Sequence, residues 1–130
     1  MGIGICYDIR FPEYTAILAQ KGVKFMIYPG SFNQTTGPLH WELLLRGRAL
    51  DNQCFAAGVS VAQYKEDPTT YQAWGHSTLV DPFGRVLIGL DENPNIAFYD
   101  VDPNYTSEVR EQIPLLKQKR HDLYKLSEVI

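Results

Sequence analysis

Residues Lys24 to Tyr28 run through Phe-Met-Ile-Tyr with almost no polar interruption. A continuous apolar run of this length is the pattern of a parallel strand covered on both faces, and parallel strands need a crossover element between them. The crossover stands immediately upstream. Pro12 suits a first helical position and Glu13 a first turn, Tyr14, Ile17 and Leu18 give the helix an apolar side, and Gly22 stops it. Before that, Gly2-Ile-Gly-Ile reads as a short strand ending at Cys6. Strand, helix and strand make a βαβ unit, in which the two strands point the same way and the crossover is right-handed. Cys6 and the loop from Pro29 to Gly37 are therefore expected at one sheet edge, where they can meet around one ligand.

The pattern then repeats. A second helix is expected from about Pro38 to Asn52, with Leu39, Leu43 and Leu50 as its apolar stripe, broadened by Trp41, Leu44 and Leu45. So wide a stripe needs more than one neighbour. Glu42 and Arg46 stand at i,i+4 spacing and Arg48 adds a second cation, which fits either an ordinary helix-surface ion pair or a subunit interface. Cys54 to Ala62 follows as a strand, with Gly58 at a bulge or close approach. Tyr64 to Gly75 is polar, irregular and long enough to cover a site. Ser77 to Val80 and Val86 to Leu90 flank Asp81-Pro-Phe-Gly84, a hairpin turn, and Ile96 to Val101 alternates as a further strand. A last helix starts at Pro103 and ends at Pro114, before a basic, weakly amphipathic arm over Lys117 to Tyr124. The fold class is α/β: a mixed sheet of two βαβ units followed by a hairpin, with a division at residues 1–102 and 103–130.

Composition narrows the function. The 130 residues are 45% hydrophobic, and twelve basic against fifteen acidic residues leave a formal charge of -3. A folded chain without a basic patch gives no reason to expect nucleic acid or an anionic membrane as partner. No segment approaches the roughly 20 apolar residues of a membrane helix. The two cysteines, Cys6 and Cys54, fall on different elements and are read as free thiols of a reducing compartment, cytoplasmic or mitochondrial. No two Cys or His residues stand at metal-ligand spacing, and no glycine-rich phosphate loop is present, so neither metal nor cofactor is expected.

Cys6 is the one residue placed for chemistry. At a strand end before a helix a thiol is partly exposed and close to backbone dipoles that favour its reactive form, although a small core cysteine fits the same pattern. His40, His76 and His121 could in principle pair with it, but no spacing ties any of them to Cys6.

Gly4-Ile-Cys-Tyr-Asp-Ile-Arg-Phe-Pro-Glu13 resembles the nucleophile segment of the nitrilase, or carbon-nitrogen hydrolase, superfamily. Tyr28 to Asn33, Thr35 to Leu44, Arg46 to Gln53 and Trp74 to Thr78 resemble its omega-amidase branch, in that order. The resemblance implies about half of an αββα sandwich, a dimer, and hydrolysis of small dicarboxylate ω-amides such as α-ketoglutaramate. It makes Cys6 the nucleophile and the Tyr7 backbone amide an oxyanion donor. Asp8, Arg10 and Glu13 brace the turn, and Phe32, Asn33, Thr36 and Trp74 line the pocket. The family pairs its cysteine with a Glu and a Lys that precede it, and only five residues precede Cys6. The chain is thus expected to be the C-terminal half of a family domain, unable to turn over alone; a truncated binding or dimerising protein is the alternative.

Overall fold

The computed structural model describes residues 1–129, and within them five strands form one sheet in the order β1-β2-β3-β4-β5. The strands are β1 (Gly2–Ile3), β2 (Phe25–Gly30), β3 (Phe55–Ser60), β4 (Thr78–Val80) and β5 (Val86–Gly89). β1, β2 and β3 are parallel, and β4 and β5 are added antiparallel. Helix α1 (Pro12–Gln20) joins β1 to β2, and α2 (Thr36–Asn52) joins β2 to β3, so both βαβ units and the hairpin are present. Gly22, at φ +87°, lets the chain leave α1, with Val23 N–H returning to Leu18 O at 3.2 Å. The hairpin turn is fixed by the buried Asp81, whose Oδ1 accepts from the amides of Phe83 and Arg85 at 2.8 and 2.9 Å.

Helix α2 turns a different face to the sheet from the one its leucines suggest. Leu39 and Leu43 are 66% and 69% exposed, whereas Trp41, Leu45 and Ala49 are buried against Met26, Tyr28, Ala56 and Val80. The i, i+4, i+8 row that includes the tryptophan buries more surface than the leucine row, and a helix apolar on several sides takes the face that packs best. Gly58 is a close approach rather than a bulge: a Cβ there would stand 2.6 Å from Leu45 and Trp41 side-chain atoms. The register irregularity falls instead between Leu79 and Val80.

Three further expectations change. β1 stops at Ile3, and Cys6 opens a 3₁₀ helix over Cys6–Arg10 instead of ending the strand. Ile96 to Val101 has the alternation of a strand but no ladder partner among the described residues; Ile96 and Phe98 are 78% and 91% exposed. Alternation specifies a face, and without an adjacent edge it makes no strand. The β2 run, finally, is fully buried only on the Met26 and Tyr28 side; Phe25 and Ile27 on the other face are half-buried, and Ile3 and Val59 beside them are exposed.

Helix α3 (Pro103–Gln112) is started by Asp102, whose carboxylate accepts from Asn104 N–H at 2.8 Å. It is held to the C-terminal end of α2 by Gln53, which donates to Ile113 O at 2.5 Å, and by Arg110, which donates to the carbonyls of Val23 and Asn52, each at 3.1 Å.

Candidate active site

The turn that carries Cys6 is built by reciprocal bonds. Ile5 N–H donates to Asp8 Oδ2 at 2.8 Å, and Asp8 N–H returns to Ile5 O at 3.1 Å. Phe11 N–H then closes on Asp8 O at 3.1 Å. Asp8 therefore folds the chain back immediately after Ile5, which is why the strand ends early. Cys6 sits in this turn at φ 47°, a left-handed conformation that a side chain adopts at a cost of about 1–2 kcal/mol. Such strain persists where the surroundings over-determine the backbone.

Cys6 is half-buried, and its Sγ lies 4.0 Å from Ser31 O, at the end of β2. Gly30 makes that approach possible, because a Cβ there would be 2.9 Å from the Cys6 Cα. The edge shared by Cys6 and the β2 loop is thus real contact. The amide of Tyr7, next to the thiol, has no hydrogen-bond partner among the described residues and is free to receive one. Tyr7's ring is exposed.

Arg10 runs under this turn. Its guanidinium lies 4.6 Å from the Phe32 ring centroid and 5.1 Å from that of Tyr7, and it donates to His40 Nδ1 at 3.2 Å. Ile9, the one fully buried residue of the turn, pins it to the core. Glu13 stands exposed in the first turn of α1 and makes no hydrogen bond among the described residues.

The four expected pocket residues divide by what they touch. Phe32 is buried edge-on to Trp41, with centroids 5.0 Å apart, and so stands beneath the site. Asn33 Oδ1 accepts from the amides of Thr35 and Thr36 and from the Thr36 hydroxyl at 2.8–3.0 Å, which starts α2 and occupies both side chains. Trp74 packs on Gly37, where a Cβ would meet its side chain at 2.2 Å, and stacks on His76 at 3.9 Å. His76 in turn bonds Trp74 O through Nδ1, and His40 bonds Arg10, so neither imidazole bonds Cys6.

Three neighbours of the site escape sequence reasoning. Arg48, placed with the surface cations, is 7% exposed and donates to the carbonyls of Ile9 and Arg10. Ser31 has a buried hydroxyl without a partner among the described residues, beside the carbonyl facing the thiol. Tyr71, in the loop expected to cover a site, donates to that same carbonyl at 3.0 Å. Only Tyr71 had a signal, an aromatic in a long polar loop. No group of three or more potential metal ligands occurs among the described residues.

The other cysteine differs in kind. Cys54 is fully buried, and desolvation pushes its thiol up to about 12.

The chain and its fold resemble known proteins. The chain is 53% identical over 129 residues to nitrilase homolog 2 of Dictyostelium discoideum, covering 99% of this chain and 39% of that protein. It is 53% identical over 124 residues to omega-amidase NIT2 of Mus musculus, covering 95% of this chain and 44% of that protein. Among solved structures, Saccharomyces cerevisiae Nit3 superposes with a TM-score of 0.84 at 45% identity, covering 91% of this chain and 43% of the yeast chain. The C. elegans NitFhit protein does so with a TM-score of 0.88 at 37% identity, covering 95% and 30%. The chain therefore spans less than half the length of these relatives. The carbon-nitrogen hydrolase family profile matches residues 1–111, and the chain belongs to that family.

Proposed function

We propose that this chain supplies the nucleophile of an omega-amidase, a hydrolase that deamidates small dicarboxylate ω-amides such as α-ketoglutaramate. The observation that carries the reading is the left-handed Cys6, its thiol half-buried at the sheet edge beside a Tyr7 amide with no partner among the described residues. Sulfur attacks the amide carbon, the carbonyl oxygen becomes an oxyanion within reach of the Tyr7 N–H, and collapse breaks the C–N bond as nitrogen takes a proton and leaves as ammonia. Water then attacks the thioester, giving the carboxylate and regenerating the thiol. Asp8 and Arg10 hold the turn; Glu13, exposed at the head of α1, is the weakest of the bracing assignments. Phe32, Asn33, Thr36 and Trp74 shape the pocket floor and rim more through the backbone they fix than by direct contact.

The proton carrier and the second oxyanion donor are, by family resemblance, a Glu and a Lys outside these residues. Residues 1–102 then form the C-terminal part of a hydrolase domain, and residues 103–130 its terminal helix and arm. The open apolar sheet face, with Ile3, Val59 and Val61 exposed, favours assembly with a partner and with a second copy as a dimer. The setting is cytoplasmic or mitochondrial, in keeping with two free thiols; no helix among the described residues is long and apolar enough to cross a membrane.

The test is ammonia release from α-ketoglutaramate by a family-length protein containing these residues, against its Cys6→Ala variant. Loss of release is expected, and undiminished release in the variant overturns the reading. Residues 1–130 alone should release none above background. Positioned proton transfer is worth roughly 10²–10⁴ in rate, and an oxyanion donor on the order of 10²–10³.

A further inference from the structure

We infer that Arg48 is a positioning residue for Cys6: from helix α2 it clamps the far end of the turn on which the thiol is mounted. The inference rests on the reading of Cys6 as nucleophile.

The carbonyls at the end of a short helix have no partner within it. In this turn they belong to Ile9 and Arg10, and one guanidinium takes both, Nε donating to Ile9 O at 2.8 Å and Nη2 to Arg10 O at 3.2 Å. The third nitrogen, Nη1, faces Asp51 Oδ2 at 3.7 Å. Two nitrogens of the planar fork are thus hydrogen-bonded and the third faces a carboxylate, and the side chain is buried where an unpaired cation would be costly. A helix-surface role needs none of this. Arg46, two residues earlier and on another side of the helix, has its side chain over half exposed, pairs with Glu42 at 3.5 Å and donates to Gly84 O, away from the Cys6 turn.

The clamp matters because of what stands at the other end. Cys6 is held at φ 47° inside the Ile5–Asp8 pair, which brackets it, and the Arg48 fork fixes the carbonyls that end the same turn. Ile9 lies between them in the core. With the fork gone, the Ile5–Asp8 and Phe11–Asp8 bonds remain but the last two carbonyls of the turn lose their donor, and the Cys6 backbone relaxes from its left-handed conformation. That relaxation moves the sulfur off the Ser31 carbonyl and turns the Tyr7 amide away from it. Lysine, with a single ammonium on a flexible stem, reaches one carbonyl but cannot reproduce the fork.

The experiment is iodoacetamide alkylation of the native chain at neutral pH, with peptide mapping of both cysteines, on the wild type, Arg48→Gln and Arg48→Lys. Cys54 is the internal control, since it is fully buried and labels only when the fold opens. The expected result is Cys6 labelling slowed about tenfold or more in Arg48→Gln, a difference of about 1.4 kcal/mol. Arg48→Lys should fall between the variant and the wild type, with Cys54 protected. Cys6 labelling at or above the wild-type rate in a variant that keeps Cys54 protected overturns the inference. So does loss of Cys54 protection in both variants, because Arg48 then holds the fold and not the turn. If Arg48→Gln alone opens, Arg48→Lys decides. A wild-type Cys6 no more reactive than Cys54 would instead remove the nucleophile reading itself.

Discussion

Gly30→Ala should strike the site and the fold together. The added Cβ would lie 2.9 Å from the Cys6 Cα, 3.3 Å from its Cβ and 3.4 Å from its Sγ. The nearest of these is backbone, which cannot swing aside as a side-chain tip can, so either the end of β2 or the Cys6 turn must move. Overpacking of this kind costs about 1–3 kcal/mol. With an unfolding entropy of about 2.1 cal/mol/K per residue, a chain of this length loses about 4–11 °C in Tm. Gly47→Ala is the matched control: it lies inside α2 with nothing within 4 Å of its Cβ, and alanine there should add about 0.5–1 kcal/mol, or about 2–4 °C. Thermal unfolding followed by far-UV circular dichroism reads both, and alkylation of Cys6 reads the site. Gly30→Ala melting with or above the wild type, with Cys6 labelled at the wild-type rate, would refute the close approach of strand and turn.

Alkaline pH should destabilise the chain earlier than its surface tyrosines and lysines suggest. Burial pushes Tyr28 from 10.0 up to about 12 against a lowering by its 2.6 Å hydrogen bond to Thr15, and burial pushes Cys54 from 9.0 up to about 12. The folded chain keeps protons that the unfolded chain releases, so the stability is intact below pH 9 and is lost as pH rises toward 12, at about 1.4 kcal/mol per pH unit for each group in its window. A urea midpoint unchanged between pH 8 and 11 would contradict this. The exposed apolar face should also drive self-association: sedimentation is expected to show species above the monomer and a hydrophobic dye to bind, and a sharp monomer peak without dye binding would count against it.

Much of the fold is legible in the residues because turn chemistry and period agree. Pro12 and Gly22 bracket α1, Asp81-Pro-Phe-Gly84 makes its hairpin, and the apolar runs become the central parallel strands. What is not legible depends on competition between near-equal choices. α2 is apolar on several sides, and only the sheet's shape selects Trp41, Leu45 and Ala49 over Leu39 and Leu43. Arg48 follows from the same rotation, since a helix turned that far buries a cation that the leucine stripe would have left in solvent. The 3₁₀ turn was hidden because Gly-Ile-Gly-Ile looks extended throughout, and its end is dictated by a carboxylate three residues beyond Ile5. The segment Ile96 to Val101 shows the converse, an alternating pattern that pairs with no strand among the described residues.

The order of the strands across the sheet is the order of the strands along the chain. No strand is threaded between two that precede it, so each segment, as it emerges, finds its partner already at the growing edge. Vectorial accretion of this kind needs no rearrangement of earlier pairings. It also spaces the two ends of the chemistry: Cys6 and the β2 end meet as soon as α1 has crossed over, whereas Arg48 arrives only with the last third of α2. Along the chain, the residues that meet around the thiol come first and the fork that ends their turn follows.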